Sequence, residues 1–106
     1  MVELDALLAP GRVLLGMRCA SKRQLFAELA ATAAEATGLD PGTILAALNQ
    51  REKLGTTGIG EGIAIPHARV KDLASITGLF ARLATPVDYD ALDDAPVDLV
   101  FLLLAP

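Results

Sequence analysis

Residues 97–104 constrain the fold more than any other part of the chain. From Leu99 onward they read Leu-Val-Phe-Leu-Leu-Leu, apolar at every position, so no alternation assigns one side to water. A strand of that kind belongs inside a sheet with a layer on each face. The layers have to come from the rest of a 106-residue chain, which by length is one domain with little stability to spare. Apolar residues make up 53% of the sequence and charged residues 21%, a composition that folds.

Helices supply one layer. Ser21 can cap a helix, with Gln24 three residues on as in a capping box. Leu25, Phe26, Leu29, Ala33 and Ala36 then recur at helical spacing. Gly38 fits the left-handed position after the last turn. Asp40 and Pro41 start a second helix as N-cap and first helical residue. Ile44, Leu45 and Leu48 face inward, and the helix fades near Lys53 or Leu54. Residues 2–8 are expected to form one or two helical turns and residues 13–15 a short strand. Residues 63–65 read as a strand ended by Pro66, and residues 75–84 as another, broken off at Thr85-Pro86. Residues 87–89 are a short extended piece and residues 90–96 a turn region. Helices first and strands after, with no repeat or linker, predict an α/β fold, a mixed β-sheet sandwiched by helices. The two helices cover one face of the central strand. Nothing evident covers the other, which predicts a truncated domain or a layer supplied by a partner.

Residues 55–62 read Gly-Thr-Thr-Gly-Ile-Gly-Glu-Gly. Four glycines in eight residues do not make a stable helix; the segment reads as a loop whose backbone runs where side chains would obstruct it. His67, the only histidine, follows Pro66 and so sits where the strand at residues 63–65 emerges from the glycine-rich loop. A lone histidine near a turn is ordinarily a surface or hydrogen-bonded residue, and Arg51 ordinarily a solvated residue near a helix end. Their neighbours offer a second reading. Glycine-rich backbone forms anion-holding nests, Thr56 and Thr57 add hydroxyls, and Arg51 and Lys53 lie just upstream. An arginine fork matches phosphate geometry better than a lysine. A neutral imidazole is a nucleophile toward phosphorus when one ring nitrogen is unprotonated and the other donates its proton to a fixed acceptor, such as a backbone carbonyl. N–H and guanidinium donors stabilise the charge on the transferring group. The phosphoramidate so formed stays reactive, which suits relay and not storage. The chain has no Gly-x-x-x-x-Gly-Lys-Ser/Thr loop for ATP, so the phosphoryl donor is expected to be another protein or a small phosphorylated molecule.

Other function classes fit poorly. One histidine and one cysteine, Cys19, do not make a zinc site, and Cys19 reads as a small apolar filler. Asp88, Asp90, Asp93 and Asp94 lack the calcium-loop spacing and its closing glutamate, and read as turn formers. Neither Ser21 nor Ser75 sits at a nucleophile elbow. Gly58-Ile59-Gly60-Glu61-Gly62 precedes a strand and has the wrong spacing for a dinucleotide fingerprint. Neither a metal nor a cofactor is expected. A formal charge of −4, with basic residues only singly or in pairs, offers no nucleic-acid footprint. The longest apolar run, residues 99–106, is far short of a membrane span. Glu3 and Asp5 argue against a signal peptide, and the single cysteine suits a cytoplasmic protein.

The run Arg51-Glu52-Lys53-Leu54-Gly55-Thr56-Thr57-Gly58-Ile59-Gly60-Glu61-Gly62-Ile63-Ala64-Ile65-Pro66-His67 resembles the active-site segment of the IIA domains of the bacterial phosphoenolpyruvate-dependent phosphotransferase system. The match is to the fructose/mannitol type, EIIA type 2, and within it to the nitrogen-regulatory branch. Thr85-Pro86-Val87-Asp88-Tyr89-Asp90-Ala91-Leu92-Asp93-Asp94-Ala95-Pro96-Val97-Asp98-Leu99-Val100-Phe101 is similar to the same branch. The resemblance covers nearly the whole chain, so residues 1–106 are read as one EIIA domain. It implies a protein-histidine phosphotransferase in which His67 takes a phosphoryl group from an HPr-like histidine phosphocarrier protein. It also implies that Arg51 lies near His67, and that Thr57 belongs to a loop packed beside it, with Thr56, Gly58, Gly60 and Gly62. Two downstream roles follow from the resemblance. One is a nitrogen- or potassium-type regulator that binds a regulatory target protein according to phosphorylation state. The other is a sugar-transport component that hands phosphoryl to a IIB domain. Residues 87–99 favour the regulator.

The sequence departs from the family pattern at three points. Thr56 stands where serine is commoner, and Ala68 stands where the regulatory branch often has glycine. Family members also continue past the equivalent of Pro106 into helices bearing a second histidine. A C-terminally truncated domain is therefore expected, with self-association through the surface so exposed. A further alternative is a non-catalytic interaction module with an incomplete IIA fold.

Overall fold

A computed structural model describes residues 12–106; the helical turns expected over residues 2–8 lie outside the described residues. Strand β1 (Val13–Met17) is followed by helices α1 (Lys22–Thr37) and α2 (Pro41–Lys53). Strands β2 (Gly58–Gly60), β3 (Ile63–Ala64), β4 (His67–Arg69), β5 (Thr77–Val87) and β6 (Val97–Ala105) complete the chain. They form one mixed sheet in the order β1-β5-β6-β3-β2, with β4 also paired to β6. β5 and β6 are antiparallel, β1 runs parallel to β5, and β3 and β4 run parallel to β6. The apolar segment at residues 97–104 therefore sits inside the sheet, as its composition requires.

Alternation along the strands gives the sheet two unlike faces. On one, Leu79, Ala81, Val100, Leu102 and Leu104 are buried together with Leu25, Phe26 and Leu29 of α1 and Ile44 and Leu48 of α2. On the other, Leu99, Phe101 and Leu103 of β6 are only half-buried, and Val13 and Leu15 of β1 are 39% and 73% exposed. Among the described residues no helix covers this second face.

The helices start and stop for local reasons. The Ser21 hydroxyl accepts from the Gln24 N–H at 3.1 Å, and the Gln24 side chain returns to the Ala20 N–H at 2.8 Å, one residue ahead of the usual capping-box partner. Gly38, at φ 76°, closes α1 by donating to the Ala34 carbonyl. The Asp40 carboxylate accepts from the Thr43 N–H at 2.9 Å, with Pro41 behind it at the first position. Ala30 joins the apolar stripe of α1, whereas Ala36, though in phase with it, is exposed because the core contacts of the helix stop at Ala34.

Three stretches differ from the sequence expectation, one of them the strand expected to end at Pro66, which continues beyond it into β4. Thr85-Pro86 does not end the fifth strand. β5 continues to Val87, and its pairing with β6 jumps from Arg82–Leu99 to Val87–Val97, a bulge that absorbs the proline's missing N–H. Nor is the glycine segment wholly loop. β2 pairs antiparallel with β3 through a two-residue turn, Glu61-Gly62, at φ 57° and 80°. Both angles are the positive values that such a hairpin turn needs.

β3 and β4 keep a single register along β6: Ile63 opposes Leu99, Ala64 opposes Val100 and His67 opposes Leu103. Residues 63–69 thus run as one extended segment, interrupted only where Pro66 has no N–H to give. Its carbonyl still accepts from the Leu103 N–H at 3.0 Å. This segment carries His67 into the site.

Candidate functional site

The shared register puts Ile63, Ile65, His67 and Arg69 on one face of the segment and Ala64, Pro66, Ala68 and Val70 on the other. Ala64, Pro66 and Val70 are buried, while His67 is exposed. β4 pairs only with β6, so the ring stands on an edge strand with α2 packed alongside. The His67 Nδ1 lies 2.9 Å from the Ile65 carbonyl oxygen, and Nε2 lies 3.2 Å from Nε of Arg51. A carbonyl only accepts and a guanidinium only donates. The two partners therefore define the tautomer: Nδ1 holds the proton and Nε2 holds the lone pair. Arg51 is itself fixed, since its Nη1 donates to the Gly55 carbonyl at 2.9 Å.

Glu52, the next residue of the same helical turn, is turned into the protein. Its carboxylate accepts from the Thr57 N–H at 3.0 Å and the Thr57 hydroxyl at 2.7 Å, and pairs with Lys22 at 2.7 Å. The Thr57 oxygen also meets the Tyr89 hydroxyl at 2.6 Å. Lys22 donates to the Tyr89 carbonyl at 3.0 Å and sits 4.3 Å from the centre of its ring. Burial raises the Glu52 carboxyl, but hydrogen bonds from Lys22 and Thr57, with the Lys22 charge, outweigh it and hold the group below its ordinary value. An ionised carboxylate accepts only, so Thr57 gives its proton to Glu52 and Tyr89 gives its proton to Thr57. Burial, the largest effect on the Tyr89 hydroxyl, raises its pKa, which keeps that donor protonated.

A depressed folded-state pKa adds stability that is fully present above the unfolded value of about 4.3 and is lost as pH falls through the lower folded value. Glu52→Gln is therefore expected to flatten the acid limb of a plot of thermal stability against pH. Parallel acid limbs for the two proteins would remove Glu52 from that role.

Residues 6–106 match the family described as phosphoenolpyruvate-dependent sugar phosphotransferase system, EIIA 2. The chain belongs to this family. Within the family it is similar to nitrogen regulatory proteins. It is 53% identical over 105 residues to the nitrogen regulatory protein of Bradyrhizobium diazoefficiens, covering 99% of this chain and 69% of that protein. The crystal structure of the nitrogen regulatory protein IIA-Ntr of Neisseria meningitidis superposes with a TM-score of 0.93 at 39% identity, covering 97% of this chain and 70% of that one. The crystal structure of IIA mannitol from Escherichia coli superposes at 0.79 with 25% identity, over 92% and 70% of the two chains. The fold is thus the EIIA fold, and the similarity supports a nitrogen-regulatory phosphocarrier role.

Of the residues singled out in the sequence, the EIIA fold joins His67 directly to Arg51 alone. Thr57 is buried, and its hydroxyl is spent between Glu52 and Tyr89. Thr56 accepts from the Gly58 N–H at 3.1 Å and so shapes its own turn. Gly62 accepts from Asp98 and Leu99, whereas His67 pairs with Leu103. Gly62 therefore stands five residues before the ring along the same extended segment, about 16 Å of strand, and Gly60 pairs with Ile63, four residues or about 13 Å before it. Their hairpin meets acidic side chains instead: the Glu61 N–H donates to Asp93 at 2.9 Å. Gly58 has a packing role, because a Cβ there would lie 2.7 Å from Cβ of Ala91 and 2.9 Å from the Tyr89 ring. Gly58→Ala is expected to cost about 1–3 kcal/mol by overpacking, read as a lower denaturant midpoint. An unchanged midpoint would show that the 89–91 segment yields freely.

Sequence reasoning missed Lys22, Glu52 and Tyr89. One local signal was available. A lysine as the first residue of a helix faces the positive end of the helix dipole, so its charge needs a partner elsewhere. Beside the ring, a recess of about 540 Å³ is lined by Ala47, Leu54, Ala68, Ile76 and Leu103, with Arg51 at its wall. Among the described residues no group of three or more His, Cys, Asp or Glu side chains is arranged to hold a metal ion. No helix among them is long and apolar enough to cross a membrane.

Proposed function

We propose that Nε2 of His67 accepts a phosphoryl group from an HPr-like histidine phosphocarrier protein, and that a regulatory target protein reads the outcome. The observation that carries this reading is the pair of contacts fixing the ring: the Ile65 carbonyl takes the Nδ1 proton, and Nε2 is left with its lone pair toward solvent and Arg51. In the transfer, the N–P bond of the donor breaks and the Nε2–P bond of His67 forms. The donor nitrogen recovers its electron pair. The Nδ1 proton stays in place, and the Ile65 carbonyl stabilises the positive charge that the ring acquires. Arg51 loses its acceptor at Nε2 and gains the phosphoryl oxygens. The regulatory role, over the sugar-transport role, is supported by 53% identity to a nitrogen regulatory protein over 99% of this chain, against 46% to a fructose-specific EIIA component over 63% of it and 25% to a mannitol IIA.

The test is incubation with phosphoenolpyruvate, enzyme I and the carrier protein, followed by intact mass measurement. An acid-labile gain of one phosphoryl group is expected. No gain, with the carrier shown to be phosphorylated, would reject the reading.

A further inference from the structure

We infer that the Tyr89–Thr57–Glu52 chain, tied down by Lys22, is a positioning device that holds both nitrogens of the His67 ring in register. The inference deepens the phosphoacceptor reading above and rests on it for its functional consequence. The ring is gripped from two sides, by the Ile65 carbonyl and by Arg51. Both grips trace to one turn of α2. Arg51 belongs to that turn. Ile65 is tied to it through Thr57: the Ile65 N–H donates to the Thr57 carbonyl at 3.0 Å, and the N–H and hydroxyl of Thr57 donate to Glu52. Donor and acceptor for the imidazole are therefore set by adjacent residues, Arg51 and Glu52, and cannot drift apart while Thr57 stays attached.

Stability alone is a poor account of this cluster. Lys22, Glu52, Thr57 and Tyr89 come from α1, α2, the loop before β2 and the segment after β5, and they converge one or two bonds short of the ring. The Glu52 side chain keeps 10% of its exposure and is ion-paired. Buried ion pairs are weak stabilisers that apolar side chains of the same shape commonly replace without loss. A fixed direction of hydrogen bonding, ending on an ionised acceptor, is something that apolar packing would not provide.

The readout is unambiguous because His67 is the only histidine. Its imidazole ¹⁵N signals report the tautomer directly, without any phosphoryl donor. The parent is expected to show the Nδ1–H form. Thr57→Val and Tyr89→Phe are expected to shift the ring toward the Nε2–H form that free histidine favours. Both should also slow phosphoryl transfer from the phosphorylated carrier by roughly five- to tenfold, the loss of about one hydrogen bond, with half-saturation by the carrier unchanged. Thr57→Ser, which keeps the hydroxyl, should restore tautomer and rate together. Tyr89→Phe removes a single oxygen and decides the matter if Thr57→Val does not fold. A folded variant with the parental tautomer and rate would overturn the inference. Failure of the parent to accept phosphoryl would instead sink the phosphoacceptor reading, while the tautomer measurement would still decide the positioning role.

Discussion

His67→Ala is expected to abolish the acid-labile mass gain and leave the domain folded. The ring is exposed, and its two hydrogen bonds go to Arg51 and to the Ile65 carbonyl. The carbonyl opens to water when the ring is removed, so no polar group is stranded. The backbone pairing of β4 with β6 does not involve the side chain, and alanine keeps the strand conformation. The stability change should stay near 0.5 kcal/mol, as for other surface substitutions away from special features, which a thermal melt checks. Within the described residues no second nucleophile stands in the same place. Thr57 is buried with its hydroxyl engaged, and burial raises the Cys19 thiol away from its reactive form. A mass gain that persisted in the folded variant would identify another acceptor and end the proposal. Loss of the gain together with loss of the fold would move the test to His67→Gln, which keeps a hydrogen-bonding group on the strand and should be equally inactive.

What the sequence disclosed followed from local physics. The helices over residues 22–37 and 41–53 were legible because Ser21, Gly38, Asp40 and Pro41 each act on their own neighbours. β6 was legible because from Leu99 to Leu104 it is apolar at every position. The β2–β3 hairpin was not, because its glycines look like loop until their partners are known. Those partners come from residues 89–98: Ala91 and Tyr89 against Gly58, Asp93 on the Glu61 N–H, Asp98 beside Gly62. The site divides the same way. Arg51 and His67 were legible as residue types suited to phosphate chemistry, and they do meet. Thr57 was legible as important, but the direction of its hydroxyl is set by Glu52 and Tyr89, and Tyr89 lies 32 residues away in sequence. Lys22 and Tyr89 are 67 residues apart, beyond any periodicity or spacing rule.

Arg51→Ala is expected to slow phosphoryl transfer by about 100-fold or more, the range seen when one preorganised donor to a developing charge is lost. In the proposed transfer the arginine does two things in succession. Before transfer its Nε donates to Nε2 of His67 at 3.2 Å and so disfavours a proton at that nitrogen. After transfer the same lone pair is the N–P bond, and the donor faces the phosphoryl oxygens one bond farther out. The resting hydrogen bond is thus a placement of the group that the product needs, with Nη1 anchored on the Gly55 carbonyl at 2.9 Å to keep it there. Arg51→Lys should recover part of the rate, because the charge remains. It should not recover all of it, because an ammonium has no planar fork to serve Gly55 and the phosphoryl group at once. The lysine variant should also be the more sensitive to added salt, since a mobile point charge is screened more readily than a fixed donor. Single-turnover transfer from the phosphorylated carrier, at low and high ionic strength, separates the three proteins. Equal rates for alanine and arginine would show that the bond to Nε2 is incidental and that phosphoryl charge is neutralised from the donor's side of the complex.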